Sequence, residues 1–236
     1  MDQKQQLLLD ATRRLIRRGA YPNLAKLLAK THPADIAHLF RYLELKEQRI
    51  LFNLIEDAEK SAYVLAELDH VVGAQLLEQL DKETITEVLQ EMSSDDAADI
   101  IGYMPDELAD EILDIMHDED SEEIEHLLQY DEDSAGGIMS TEIFSLSEEL
   151  TVKDAIEAIQ QAGDVEMVFY LYVVNEAGQL VGVLSLRQLL TVPPSKKLSD
   201  IMTRDVLSVR TDMDQEEVAR VVEKYNILAV PVVDEM

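Results

Sequence analysis

The sequence predicts an α+β chain: an all-helical, superhelical N-terminal domain, then a strand-and-helix unit that occurs twice, the second time truncated. Three observations predict it. Apolar residues recur at helical spacing through about the first 130 positions. After Gly136-Gly137 the period changes to that of short strands. From Ile138 the pattern then restarts at an offset of 63 residues, setting Met139 against Met202, Ser145 against Ser208, Leu150 against Met213 and Thr151 against Asp214.

In the first part, "ADIAHLFRYL" (Ala34–Leu43) places Ile36, Leu39, Phe40 and Leu43 on one helical face. "AADIIGYM" (Ala97–Met104) and "ADEILDIM" (Ala109–Met116) repeat that pattern, and "PADIA" near residue 35 resembles "AADII" near residue 99. Pro33 and Pro105 suit a first helical turn, and "DSEE" (Asp120–Glu123) has the spacing of a capping box. Short helices with one apolar face cannot bury it alone, so a tandem array must stack them.

In the second part, the segment from Ile138 reads as a short strand, a turn and a helix capped at Thr151. Strands follow at Tyr170–Val174 and Leu180–Leu184, joined by a turn at Gly178, and a helix starts near Ser185. Pro231–Glu235 corresponds to Tyr172–Glu176, after which the second copy stops short of the strand and helix that complete the first. A unit cut there leaves an open sheet edge, so the expectation is a fragment of a longer protein. The expected boundaries are 1–130 for the helical domain, 131–137 for an acidic, glycine-containing linker, 138–198 for the first unit and 199–236 for the partial second unit.

Charge narrows the function. The chain has 49 Asp and Glu against 20 Lys and Arg, a formal charge of −29, with 47% hydrophobic residues and no cysteine. The apolar content argues against an acidic disordered tail, and the absence of cysteine excludes disulfides and thiolate metal sites. Such a balance disfavours nucleic acid and favours cations. Between Lys82 and Lys153 no Lys or Arg occurs among many acids, so those acids lack the basic i,i+4 partners common on helices. Solvated acids at helix N-termini account for many of them individually. The N-terminus lacks a signal-peptide pattern, and the longest apolar run, Val168–Val174, falls far short of the ~20 residues that span a bilayer.

The tandem unit ending in "GVLSLRQLL" resembles a pair of cystathionine-β-synthase (CBS) domains. Joined by "DEDSAGGIM" to an acidic helical domain, and continued by "IMTRDV" and "VRTDMDQEEVARVVEKYNI", it resembles the cytosolic region of MgtE-type magnesium transporters. The resemblance implies a Mg²⁺-sensing gating domain at the cytoplasmic face of the cell membrane. It also implies a homodimer formed through the CBS domains and a membrane-embedded transport domain in the same full-length protein. On the same resemblance, ions held by both domains would favour a compact, closed state.

The same resemblance implies the ligands. Asp95 and Asp99, at i and i+4 in "SSDDAAD", match the family's acids on the helical domain, and Asp214 and Glu216 match those on the second CBS unit. Glu223 implies a backbone ligand; Asn226 stands where the family commonly has an acid, and Tyr63 where some relatives have Glu. Gly137 would let its carbonyl approach an ion and, with Gly136, let the helical domain swing. A helix C-cap and turn explains the glycines equally well. Asp214 also reads as an N-cap and Glu216 as a first-turn acid.

CBS pairs also bind adenine nucleotides such as ATP, which points to Tyr170 and Arg187, with Gln188 where the usual ribose-binding Asp stands. The rival reading is therefore a nucleotide-binding adaptor that controls an attached enzyme; a purely structural acidic scaffold is a third. No phosphate-binding loop, nucleophile elbow or zinc motif is present, and the five histidines are scattered, so the sequence does not read as an enzyme.

Overall fold

The computed structural model describes residues 3–141, 143–162 and 170–234. The chain divides into two compact units, Met1–Leu128 and Gln129–Met236. Val168 and Phe169 of the predicted apolar run, and Glu235, lie outside the described residues.

The first unit is helical: α1 (Gln3–Arg17), α2 (Tyr21–Leu28), α3 (Pro33–Phe40), α4 (Leu45–Phe52), α5 (Ala58–Ala66), α6 (His70–Leu77), α7 (Lys82–Gln90), α8 (Ser94–Ile101), α9 (Asp106–Leu113) and α10 (Asp118–Leu127). From α3 on, each helix up to α8 packs on the next but one, while α2 packs on α1. Contacts run α1 to α3 to α5 to α7 to α9 along one row, and α4 to α6 to α8 to α10 along the other. That is the stacking the short amphipathic helices require. The matched residues of the two similar segments play the same part, Ile36 in α3 and Ile100 in α8 both being fully buried.

Local chemistry sets the helix starts. Pro33 opens α3, with the His32 imidazole accepting from the Ala34 N–H. Asp57 and Asp81 cap α5 and α7, each accepting an N–H three residues on. Two expected starts shift. Pro105 sits one position outside α9, as its N-cap. The expected capping box at Asp120–Glu123 falls inside α10, because the helix already begins at Asp118 after an extended His117. The Ser121 N–H closes that first turn on the His117 carbonyl, 3.0 Å away.

The second unit contains β1 (Ser145–Ser147), α11 (Val152–Gln161), β2 (Tyr170–Val174), β3 (Leu180–Ser185), α12 (Leu186–Thr191), α13 (Leu198–Ile201), β4 (Val209–Arg210), α14 (Gln215–Tyr225) and β5 (Val232–Val233). One sheet has the order β1-β2-β3, with β1 parallel and β3 antiparallel to β2, and the other pairs β4 with β5 in parallel. The repeat is visible in the register: Leu146 faces Val173 in the first copy and Val209 faces Val232 in the second. Thr151 caps α11 in a capping box with Asp154, and Asp214 caps α14.

One strand differs from expectation. The described residues between Gly137 and Ser145 form no strand, and at their start the Ile138 N–H is taken by the Ser134 carbonyl at 3.1 Å in a turn. Leu146, Val152, Leu171, Val173, Leu184, Leu189 and Leu198 make the core of the first copy, and Ala135, Val209 and Val218 that of the second. Gly178 takes a left-handed φ of 76° between β2 and β3, where Asn175 Oδ1 accepts from the N–H groups of Ala177 and Gln179. No described helix is long and apolar enough to cross a membrane.

Thr12 in α1 is fully buried, and its hydroxyl has no hydrogen-bond partner among the described residues. Replacing it by the isosteric Val removes an unsatisfied polar atom, so Thr12→Val is expected to stabilise the helical unit by about 1 kcal/mol. A urea titration followed by circular dichroism measures it, and a lowered midpoint would reveal a hydrogen bond to that hydroxyl.

Candidate functional site

On the helical unit, Asp95 and Asp99 stand one turn apart on α8, whose other face buries Ala97, Ala98, Ile100 and Ile101. Asp95 and Asp96 occupy the first turn, where the helix dipole favours negative charge. Asp95 Oδ1 is enclosed with no hydrogen-bond partner among the described residues. An enclosed carboxylate oxygen without a donor is costly and calls for a donor or a cation. Asp99 Oδ2 lies 3.7 Å from His70 Nε2 at the start of α6, and the His70 ring is 6.2 Å from that of Tyr103. Beside them, the Ser94 hydroxyl donates to Glu123 Oε2 of α10 at 2.9 Å. Tyr63 is exposed on α5.

On the second unit, Asp214 is the N-cap residue of α14, its Oδ1 accepting the Glu216 N–H at 2.8 Å. Glu216 extends into solvent and pairs with Arg220 one turn on, at 2.9 Å. Both secondary readings of these acids, cap and first-turn residue, hold. At the other end of α14, Asn226 adopts a left-handed conformation (φ 47°, ψ 49°) and donates its N–H to the Glu223 carbonyl. Asn tolerates that conformation better than most residues with a Cβ, which gives a backbone reason for the side chain found there.

The acidic glycine segment is not an extended tether. Ser134 pairs with Asp214 in an antiparallel bridge, the N–H groups of Ala135 and Gly136 donate to the carbonyls of Met213 and Thr211, and the Gln215 N–H donates to the Asp133 carbonyl. Residues 133–136 are thus fastened to the start of α14. Neither glycine has a left-handed φ, so the helix C-cap explanation falls. Both are needed for space. A Cβ on Gly136 would lie 2.5 Å from the Tyr130 ring, and one on Gly137 would lie 2.3 Å from the Asp131 carbonyl oxygen.

That fold-back brings acids that the sequence did not single out to Asp214. Asp131, Asp133 and Asp212 line a cavity of about 390 Å³ together with Asp214, Tyr130 and Thr211. The hydrogen bond from Arg210 and then its charge hold the Asp212 carboxyl below its usual range. A second cavity, of about 290 Å³, is largely apolar and lined by Ile138, Phe144, Tyr170, Tyr172, Val218 and Val230. Burial raises the Tyr172 phenol above its ordinary value. Of the three nucleotide candidates, only Tyr170 lines this cavity. Arg187 is exposed on α12, and the Gln188 side-chain oxygen accepts from Ser185 in a capping box.

Among the described residues, no three His, Asp or Glu side chains are placed to hold a metal by themselves.

An acidic helical array followed by a tandem strand-and-helix unit has the architecture of a chain that carries CBS domains. The family model described as "MgtE intracellular N domain" matches residues 31–133, and the CBS domain model matches residues 135–195 and 198–236. The crystal structure of the cytosolic domain of the Mg²⁺ channel MgtE in complex with ATP superposes with a TM-score of 0.88 at 34% identity, covering 96% of this chain and 93% of that one. The soluble part of a magnesium transporter follows at 0.81 and 27% identity, covering 98% and 91%. The magnesium transporter MgtE of Thermus thermophilus is 46% identical over 112 residues, 47% of this chain and 25% of the relative. The chain belongs to the MgtE family, and its two units match that family's cytosolic domain. It spans about a quarter of the length of the curated transporters it matches.

Gly137→Ala is expected to destabilise the second unit by about 2 kcal/mol or more, because a backbone carbonyl cannot move aside. Gly136→Ala should cost less, since the Tyr130 ring can rotate away. Thermal unfolding of the two variants tests the order, and equal or negligible shifts would contradict the close approach.

Proposed function

We propose that this chain is the cytosolic Mg²⁺-sensing part of a membrane magnesium transporter, in which ions held jointly by carboxylates of the helical and CBS units favour the compact, closed state. The observation that carries the reading is the unpartnered, enclosed oxygen of Asp95, on a family match that covers nearly the whole chain. Asp95 and Asp99 would supply oxygens from α8, Asp214 and Glu216 from the start of α14, and the carbonyls of Gly137 and Glu223 further ligands. Glu216 would have to share its carboxylate with Arg220. The assembly is a homodimer joined through the CBS units, at the cytoplasmic face of the membrane.

The energetics are undemanding. Shifting a two-state equilibrium from 1:99 to 99:1 takes ~5.5 kcal/mol of differential binding, or roughly 1.4 kcal/mol for each of about four ions. Divalent ions neutralise opposed carboxylates, whereas monovalent salt only screens them over ~8 Å.

ATP binding is a second reading, favoured by the apolar cavity with Tyr170 and Tyr172 and by the ATP complex of the similar cytosolic domain. The base would lie among the tyrosines. Calorimetry with ATP and Mg²⁺ tests it, and loss of binding in Tyr170→Ala is the expected result.

For the ion reading, millimolar Mg²⁺ is expected to reduce the radius of gyration in solution scattering, while KCl at matched ionic strength leaves it unchanged. Replacing Asp95, Asp99, Asp214 and Glu216 together by their amides should abolish that compaction. An unaltered response in the quadruple variant removes these residues from the mechanism.

A further inference from the structure

The helical unit is electrically divided along its length. Its first 49 residues carry ten Lys and Arg against five Asp and Glu, whereas residues 50–128 carry two lysines against twenty-four acids. The cationic part comprises α1 to α4, and its densest point is the end of α1. At 100° per residue, positions 7, 14 and 18 fall within about 20° of one line along the helix. They lie on the face opposite buried Leu9 and Thr12.

Leu7 is 64% exposed and Tyr21, just past the turn, 40%. Arg14, Arg17 and Arg18 are exposed, as are Lys26 and Lys30 on α2. None of these five cations has an ion-pair partner among the described residues. Other cations of the unit are committed to the fold: Lys4 pairs with Asp35, Arg13 donates to the Tyr42 carbonyl, and Lys60 donates to the Leu28 carbonyl. The free arginines are not needed as caps either. The N–H groups of Ala20 and Gly19 close the end of α1 on the carbonyls of Leu15 and Ile16, both at 3.0 Å, with Gly19 at φ +62°.

We propose that this end of the helical unit docks on an anionic phospholipid surface. The proposal rests on the membrane-transporter reading above and adds a second attachment to it. Guanidinium groups bind phosphate through paired hydrogen bonds, and an exposed Leu and Tyr beside them suit the boundary between headgroup and acyl chain. Clusters of four to eight cations next to a membrane bind acidic lipid. A chain whose full-length relatives are transporters would be held at the bilayer, where tethering makes even weak affinity effective. The overall negative charge does not prevent this, because at physiological salt it is screened beyond ~8 Å.

The test uses the whole 236-residue chain in EDTA with sedimenting vesicles of phosphatidylcholine, with and without phosphatidylglycerol. The expected result is binding to the anionic vesicles alone, lost at high KCl. Arg14→Gln, Arg17→Gln and Arg18→Gln together should lower the partition coefficient by roughly a hundredfold, about fivefold for each charge. Leu7→Ser should lower it a few-fold, and Lys224→Gln, on the other unit, should leave it unchanged. Equal binding to neutral vesicles, or a triple variant that binds as well as the parent, overturns the proposal. So does failure to bind lipid combined with salt-sensitive self-association that the triple variant abolishes, an outcome that gives the surface to a second copy. Mg²⁺-induced compaction of the triple variant, read by scattering, reports separately on the ion reading.

Discussion

The constraint on which the structure depends is negative charge without nearby counter-charge. From residue 50 to residue 128 two lysines face twenty-four acids on a stack of short helices. Burial holds that stack together. Leu51, Val64, Leu65, Leu76, Ile85, Leu89 and Ile100 are each almost fully enclosed, and every such side chain contributes about 1.5–3 kcal/mol of transfer free energy. Part of the acid load is placed where it stabilises, at the N-caps of α5 and α7 and in the first turns of α8 to α10. Another part is not relieved locally. The Asp95 oxygen is the clearest case, and it gives a cation a thermodynamic reason to bind.

The second unit handles charge differently. Its acids mostly have assigned work: Asp154 in the Thr151 box, Asp212 with Arg210, Glu149 with Lys197, Glu216 with Arg220. The Asp154 carboxyl is lowered below its usual range by the side-chain and then the backbone hydrogen bond of Thr151, so that cap stabilises α11 above the unfolded carboxylate range and is lost as pH falls through the folded value. The equivalent position in the second copy, Asp214, caps with its own carboxylate instead of a hydroxyl. The substitution preserves the cap and adds a charge at the start of α14. On the proposed reading, one residue thereby serves both the fold and an ion.

Much of this was legible in the sequence because it is written at short range. The offset of 63 residues placed Leu146 and Val209 in equivalent strands, Thr151 and Asp214 at equivalent caps, and β2 and the start of α12 where alternation and Ser185 put them. The i,i+4 spacing of Asp95 and Asp99 placed both on one helix. What was not legible depends on approach from a distance. Nothing local to Gly136 and Gly137 reveals that the Tyr130 ring and the Asp131 carbonyl press against them, or that Ser134 pairs with Asp214, eighty positions away. Gln188 looked like a substituted ligand, yet its amide closes a helix cap, a role that its three-residue spacing from Ser185 could have disclosed.

Incomplete ligand sets have a consequence for how an ion sensor behaves. A preformed cage binds its ion in either conformational state and therefore shifts nothing, since only differential affinity moves an equilibrium. Among the described residues neither unit assembles such a cage. On the proposed reading, Mg²⁺ affinity beyond that of one or two hydrated carboxylates comes from bringing more oxygens together, and the free energy of doing so is the coupling itself. On the proposed reading, weak binding by each unit alone is what makes the ion a switch. The mutual repulsion of the acids sets the concentration at which it operates, and each acid replaced by a neutral residue would lower both that repulsion and the ion's grip.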